Sequence, residues 1–344
     1  MSGISQKLMS SSGGPSSLLA VGGSSLSIYR QQGNTFTKLP DPAVLPSPSG
    51  GVPVFSSDDT YLAVGQSNSP YIIIYKRSGE TFTKLPDPAS LPSSGVSGVA
   101  FSSDDTYMAV TFTLSPFIAI YKRSGDTFTK LPTPAYVPTQ QGAAVAFSPD
   151  DTYLAVGNGY GGFEGEGLPF IQVYKRSGDT FTKLPDPAVL PTNRVGAVTF
   201  SSDSTYMPIG TPNTPFLIIY KRSGDTFTKL ANPAVLPGAE ASGVAFTSDD
   251  VYLAASDSDA PRILIYKRSG DTFTKLANPD VLPGSAGIGV SFSYDDTYLA
   301  VAHAGSSPFI TIYKRDGDTF TKIANPDVLP TGASRVSFSN TQIG

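Results

Sequence analysis

The chain has 344 residues, including 34 Gly and 30 Pro, and 15% of its residues are charged. Because Pro and Gly destabilise a helix interior by about 3 and 1 kcal/mol, this composition excludes a bundle of long exposed helices. The hydrophobic content of 39% supports a large core without helices. The net charge of −4 and the even spread of basic residues argue against nucleic-acid binding.

The N-terminal residues contain no apolar run of signal-peptide length, and no run of about 18 apolar residues occurs elsewhere. We therefore expect a flexible tail at 1–14, no signal peptide and no membrane insertion. The expected location is soluble, either cytoplasmic or virion-associated. The chain also has no cysteine and a single histidine, His303, so thiol chemistry and a paired-histidine zinc site are excluded.

An internal repeat then determines the expected architecture. A segment close to IYKRSGDTFTKL occurs seven times, at intervals of 46 residues in most cases. In the second unit, short apolar runs at 51–56, 60–65, 70–77 and 81–85 are separated by turn residues and predict four strands. The lysine of each last strand is expected at the rim, where a charge discourages edge pairing. The proline-rich segment that follows, PDPASLP, is expected to connect one unit to the next.

The two ends of the chain complement each other. The first unit contains only three predicted strands, whereas 334–339 forms a lone strand after the last complete unit. Three strands and one strand make a seventh four-stranded unit if the ends meet. The sequence therefore predicts an all-β, seven-bladed β-propeller with four antiparallel strands per blade. The expected domain is 15–344, with blades at 15–46 plus 333–344, 47–92, 93–138, 139–191, 192–237, 238–283 and 284–332.

The repeat resembles the WD-repeat unit. FSPD at 147–150 and YLAV at 153–156, followed by an apolar strand that ends in an aromatic residue, are similar to that family's consensus. Tyr-Lys-Arg stands where the family has Trp-Asp, and a single histidine cannot supply a Gly-His element in every blade. The near-identical copies also resemble repetitive propellers of bacteria and their viruses. The resemblance implies the propeller fold and carries no activity.

Several shorter patterns have local explanations. GNGYGG at 157–162 matches the dinucleotide-binding glycine pattern, but a strand follows it instead of the required helix. Asp257 and Asp259 imitate the start of a calcium loop without its Gly and Glu, and are interpreted as solvated loop carboxylates. The paired aspartates at the other end of each blade are interpreted as ion-pair partners, with Asp58 near Arg77 and Asp104 near Arg123 in the next blade.

The first strands of the repeats contain no carboxylate. Propeller hydrolases that resemble lactonases line their channel with carboxylate, Asn and His side chains around a metal ion. We therefore predict no catalytic residue, no metal and no cofactor, and we interpret His303 as an exposed loop residue.

Sequence variation concentrates on the face formed by the loops between second and third strands and by the connectors. The fourth unit carries seven extra residues in this region, between Gly157 and Leu168. Variable loops on a fixed scaffold are typical of a binding surface, although unconstrained drift explains them equally simply. The candidate binding residues are Tyr160, Phe163, Glu164, Glu166, Arg194, Asp257, Asp259 and His303.

These features favour a non-enzymatic binding or structural propeller. Its expected partner is a protein or a glycan on the variable loop face, for example in a virion or a bacterial assembly. A lectin-like carbohydrate-binding propeller is the alternative, and a propeller hydrolase is the third hypothesis.

Overall fold

The computed structural model describes residues 16–47, 51–159, 169–305 and 307–341. The strands of these residues form seven antiparallel sheets of four strands each, the seven blades of a β-propeller. The predicted fold class is confirmed. No helix in the described part of the chain combines the length and the hydrophobicity that crossing a bilayer requires.

The strands follow one another through the blades in chain order, and only blade 1 combines both ends of the chain. Blade 1 contains β1 (Ser16–Gly22), β2 (Ser27–Gln32) and β3 (Thr35–Lys38). Blade 2 contains β4 (Val52–Phe55), β5 (Tyr61–Gly65), β6 (Ile72–Ser78) and β7 (Thr81–Lys84). Blade 3 contains β8 (Val96–Phe101), β9 (Tyr107–Phe112), β10 (Ile118–Ser124) and β11 (Thr127–Lys130). Blade 4 contains β12 (Gly142–Phe147), β13 (Tyr153–Asn158), β14 (Ile171–Ser177) and β15 (Thr180–Lys183). Blade 5 contains β16 (Ala197–Val198), β17 (Tyr206–Gly210), β18 (Leu217–Ser223) and β19 (Thr226–Lys229). Blade 6 contains β20 (Val244–Phe246), β21 (Tyr252–Ser256), β22 (Ile263–Ser269) and β23 (Thr272–Lys275). Blade 7 contains β24 (Gly287–Phe292), β25 (Tyr298–His303), β26 (Ile310–Asp316) and β27 (Thr319–Lys322). The closing strand of blade 1 is β28 (Arg335–Phe338).

The ring is closed by the pairing of β28 with β1. The two strands are antiparallel, with Leu19 opposite Phe338. Beyond β28, the backbone N–H groups of Asn340 and Thr341 donate to the carboxylate of Asp59 in blade 2, at 2.7 and 2.8 Å. The predicted closure by three N-terminal strands and one C-terminal strand is therefore confirmed, whereas the expected tail at 1–14 lies outside the described residues.

Buried and more exposed residues alternate along β4 and β7, whereas the central strands of the blade are buried on both faces. In blade 2, every residue of β5 is buried, and β6 is buried over its first four residues. Tyr75 of β6 is fully buried, and its hydroxyl donates to the carbonyl oxygen of Val44 at 2.7 Å. The recurrent tyrosine thus attaches the preceding connector to the blade.

Aromatic rings join neighbouring blades. Tyr61 of blade 2 packs edge to face against Phe128 of blade 3, with ring centroids 5.6 Å apart. The Tyr61 hydroxyl also donates to Asp126 of blade 3 at 2.7 Å, and the guanidinium of Arg123 lies over the Tyr61 ring. Because the same residue types recur in most blades, these contacts repeat around the ring.

We expect Phe128→Ala to destabilise the fold by about 3 to 5 kcal/mol, because Phe128 is 4% exposed and its removal leaves a cavity between two blades. Lys130→Ala, two residues along the same strand at the rim, should cost less than about 0.5 kcal/mol. Denaturant unfolding of the two variants measures both values. Equal midpoints would contradict the burial of Phe128 between the blades.

The paired aspartates join blades instead of forming the ion pairs expected within them. Asp105 accepts hydrogen bonds from the backbone N–H groups of Ser57 and Asp58 in the preceding blade, at 2.7 and 2.9 Å. Arg77 donates through Nε to the carbonyl oxygen of Asp59. Among the described residues, the expected pairs Asp58–Arg77 and Asp104–Arg123 do not form.

Ion pairs at this end of the blades connect neighbouring blades, so they are not the pairs that were expected within one blade. Lys76 of blade 2 pairs with Asp126 of blade 3 at 2.9 Å, and Lys122 of blade 3 pairs with Asp179 of blade 4 at 2.9 Å. Arg222 of blade 5 lies 3.5 Å from Asp150 of blade 4.

Burial of Asp105 raises the pKa of its carboxyl from the ordinary 3.8 to about 6, although the two backbone donors oppose this rise. The folded-state pKa is therefore above the unfolded value, and the contribution of this group to stability falls as the pH rises from about 4 to 6. We expect a carboxyl carbon resonance of Asp105 that titrates with a midpoint near 6 in an NMR experiment. A midpoint near 4 would show that the donors outweigh burial.

Candidate functional site: the mouth of the channel

The first strand of each blade lines a central channel. Its walls are mainly small and apolar, and the open cavity between them has a volume of about 140 Å³. The walls carry a charged group at Arg335 in β28. Arg335 lies three residues before the phenylalanine that ends its strand. The equivalent position in the other six blades holds a small residue: Val52, Gly98, Ala144, Ala197, Gly243 and Gly289.

Sequence analysis missed Arg335, although an alignment of the seven first strands would have revealed it. The guanidinium donates through Nη1 to the carbonyl oxygens of Ile288 and Ser334, both at 2.9 Å. These two bonds fix the side chain against blade 7.

An ion pair lies at the connector-side end of the channel. Arg194 and Glu240 belong to the connectors that precede β16 and β20, and Arg194 Nη2 lies 2.5 Å from Glu240 Oε1. Ser242 Oγ donates to the same Oε1 atom at 2.9 Å. The side chains of Arg194 and Glu240 are 31% and 25% exposed, so solvent reaches the pair. The fold thus pairs the candidate binding residue Arg194 with Glu240, which was not among the candidates.

Glu240 Oε1 and Arg194 Nη1 lie beside Gly196, which lines the same channel as Arg335. Burial lowers the pKa of the Arg335 guanidinium, the Glu240 carboxylate raises it, and the Arg194 charge lowers it. An arginine side chain remains protonated despite such shifts. The mouth of the channel therefore combines two guanidinium groups with one carboxylate.

Asp257 supports the connector that carries Glu240. Asp257 is fully buried, and its carboxylate accepts hydrogen bonds from the backbone N–H groups of Gly238 and Ala239, at 2.8 and 3.0 Å. The interpretation of Asp257 as a solvated loop carboxylate is wrong, because this residue follows β21 directly and turns inward. Asp259 is exposed, and its N–H donates to Asp257 Oδ1 at 3.0 Å.

His303 occupies the equivalent position in blade 7. It is the last residue of β25 and is fully buried, so the expectation of an exposed loop histidine is wrong. Its Nε2 atom lies 3.2 Å from Thr311 Oγ1. Burial lowers the pKa of His303, which favours the neutral imidazole. In blade 2, Gln66 takes the same place and accepts from the N–H of Ser47 at 2.7 Å, so this position belongs to the scaffold below the connectors.

The remaining candidate residues, Tyr160, Phe163, Glu164 and Glu166, lie outside the described residues. The described residues contain no group of three or more His, Asp and Glu side chains that could hold a metal ion. At the mouth, Glu240 is accompanied by two cations, and this set of groups does not fit a divalent metal.

No protein-family model matches the sequence, and no curated protein sequence matches it either. Solved structures match over almost the whole chain. A periplasmic gluconolactonase from Pseudomonas aeruginosa is 15% identical with a TM-score of 0.73, and the match covers 96% of this chain and 100% of that one. A candidate 6-phosphogluconolactonase from Bacteroides uniformis is 15% identical with a TM-score of 0.72, over 94% and 99% of the two chains.

A WD-repeat propeller also matches. The β-propeller domain of Swd1 from Myceliophteria thermophila is 11% identical with a TM-score of 0.57, over 81% of this chain and 90% of that one. The resemblance to WD-repeat propellers therefore holds for the fold.

The comparisons contradict the expectation of a non-enzymatic binding or structural protein, because propellers that match nearly the whole chain are named as lactonases. The first strands contain no carboxylate, but the Glu240 carboxylate reaches the mouth from a connector. These structures are less than 25% identical to this chain. Their likeness shows that this protein is a seven-bladed β-propeller.

Proposed function

We propose that the chain is a hydrolase that opens a sugar lactone at the mouth of the channel. The observation that carries this proposal is the position of Glu240, which lies beside Arg194 and near Arg335 at the end of an otherwise apolar channel. A carboxylate and guanidinium groups are the general base and the oxyanion partners that attack on an ester carbonyl requires.

The hydrogen bonds of Glu240 suggest how the reaction proceeds. Oε1 is held by Arg194 and Ser242, whereas no donor among the described residues is bonded to Oε2. In the proposed step, Oε2 takes a proton from a water molecule whose oxygen forms a bond to the lactone carbonyl carbon. The carbonyl oxygen then carries the negative charge, and a guanidinium group stabilises it.

Breakdown of this intermediate breaks the bond between the carbonyl carbon and the ring oxygen. The ring oxygen takes the proton held by Glu240, and the product is an open-chain sugar acid. The carboxylate is thereby restored, so the cycle needs no other reactant than water.

Two further facts support a sugar lactone as the substrate. Two of the neighbours named above carry the names of gluconolactonases, and one of these names specifies the 6-phospho compound. The mouth also lies on the connector side, the face for which the sequence predicted a protein or glycan partner. In this proposal, the ligand of that face is a small sugar lactone and not a glycan chain.

The test is the rate of acid release from glucono-δ-lactone and from 6-phosphoglucono-δ-lactone, measured in a pH-stat at constant pH. We expect the protein to accelerate ring opening of at least one lactone above the spontaneous rate. Rates equal to the spontaneous reaction for both compounds would refute the proposal.

A further inference from the structure

The outer strand of each blade presents backbone groups at its free edge. In blade 2, the N–H of Leu85 donates to the carbonyl oxygen of Ile74, so Tyr75 and Lys84 form a non-hydrogen-bonded pair of the ladder. The N–H of Lys84 and the carbonyl group of Phe82 consequently face away from β6. A sheet edge of this kind accepts a further extended chain.

Two blades cover this edge with an aspartate from the preceding connector. The N–H of Lys38 in blade 1 donates to Asp327 Oδ1, and the N–H of Lys322 in blade 7 donates to Asp280 Oδ1, both at 2.9 Å. Asp327 also donates its own N–H to the carbonyl oxygen of Phe36 at 3.2 Å. One aspartyl residue thus bonds to both edge groups of the strand.

The other five connectors have alanine at the position of these aspartates: Ala43, Ala89, Ala135, Ala188 and Ala234. Open grooves lie beside three of these alanines, with volumes of about 490 Å³ at Ala43, 460 Å³ at Ala135 and 370 Å³ at Ala234. These volumes are in the range of ligand sites. Each groove runs between the connector of one blade and the outer strand of the next.

The groove at Ala234 has the most favourable charge for an acidic ligand. Its lysine, Lys275, bonds to Asn278 Oδ1 at 2.6 Å, an uncharged partner that leaves the positive charge uncompensated. The carboxylate in the same groove, Asp271, pairs with Lys221 at 2.8 Å. In the groove at Ala43, by contrast, Lys84 pairs with Asp87.

Apolar side chains border the three grooves on the connector side. Val44, Tyr136 and Val235 follow the alanines directly and are 48%, 69% and 49% exposed. An extended peptide can cover such side chains while it bonds to the strand edge.

We propose that these three edge grooves bind extended segments of a partner protein, each of which inserts an aspartate carboxylate where those of Asp280 and Asp327 lie in the covered blades. The aspartate would accept from the lysine N–H and donate its own N–H to the phenylalanine carbonyl oxygen. A free carboxylic acid could supply only the first of these bonds, which is why the occupant is a peptide. This inference is independent of the proposed lactone hydrolysis, since the grooves lie on the outer edges of the blades.

The chain itself supplies a matched pair of probes. The heptapeptide of residues 324–330, ANPDVLP, contains the aspartate, and that of residues 231–237, ANPAVLP, differs from it only by alanine. We would titrate each peptide, and acetate alone, into the full-length protein labelled with ¹⁵N-lysine. The observed signals are the backbone amides of the outer-strand lysines.

We expect ANPDVLP to shift the amide resonance of Lys275, and to bind at least about tenfold more tightly than ANPAVLP. The amides of Lys38 and Lys322 should not move, because Asp327 and Asp280 already occupy them. Equal binding of the two peptides would overturn the proposal. Equal shifts with acetate would also overturn it, by showing a site for any carboxylate.

Exchange of the connector residues gives a second test. Ala234→Asp should cover the groove beside Lys275 and abolish its peptide-induced shift, whereas Asp280→Ala should open the groove beside Lys322 and create one. Circular dichroism confirms that both variants keep the fold. Unchanged shifts in two folded variants would refute the role of this position.

Discussion

Replacement of Glu240 by Gln should lower kcat for lactone opening by about 10²- to 10⁴-fold, the usual contribution of a general base. Gln retains the shape of the side chain and an oxygen that can accept from Arg194 and Ser242, the present partners of Oε1. The amide cannot take a proton from water. The loss should therefore appear in kcat, with little change in thermal stability.

Glu80→Gln is the matched control. Glu80 lies at the outer edge of blade 2, is 43% exposed and pairs with Arg30 at 3.0 Å. Surface pairs of this kind contribute about 0 to 1 kcal/mol, so neither stability nor activity should change much. If E240Q and E80Q both retain the activity of the unmodified protein, Glu240 is not the base and the proposed mechanism fails.

Deletion of residues 333–344 should prevent stable folding of the ring. It removes β28, whose Val336 and Phe338 are buried against blade 1, and burial of each such side chain is worth about 1.5–3 kcal/mol. The deletion also exposes the inner edge of β1 and frees the carboxylate of Asp59. We expect aggregation, or a loss of more than about 5 kcal/mol in the free energy of unfolding.

A shorter deletion, of residues 342–344, separates this effect from the mere loss of chain. It retains β28 and the hydrogen bonds of Asn340 and Thr341 to Asp59. Thermal melts followed by circular dichroism should be close to those of the full chain. If the deletion of 333–344 melts like the full chain as well, β28 does not hold the ring together.

The sequence by itself determined the architecture, because each part of it is specified locally and repeated seven times. Four strand patterns with turn signals recur in every unit, and the missing first strand of unit one reappears at 334–339. The short apolar runs also predicted the strands correctly, as β4 to β7 of the second unit show. Neither conclusion needed the geometry of one blade relative to another.

The tertiary structure alone decided which residues meet between blades. Arg194 and Glu240 are one repeat of 46 residues apart and take equivalent positions in adjacent connectors, but only the fold shows that their side chains meet. Arg335 comes from the closing strand, so no local pattern joins it to them. Asp257 and His303 appeared as loop residues because turn-like neighbours surround them, whereas the packing of connectors onto the blades buries both side chains. Each repeat specifies its own strands through residues that are close together in the sequence. The channel mouth, in contrast, combines positions at which the repeats differ, and only closure of the ring brings those positions together.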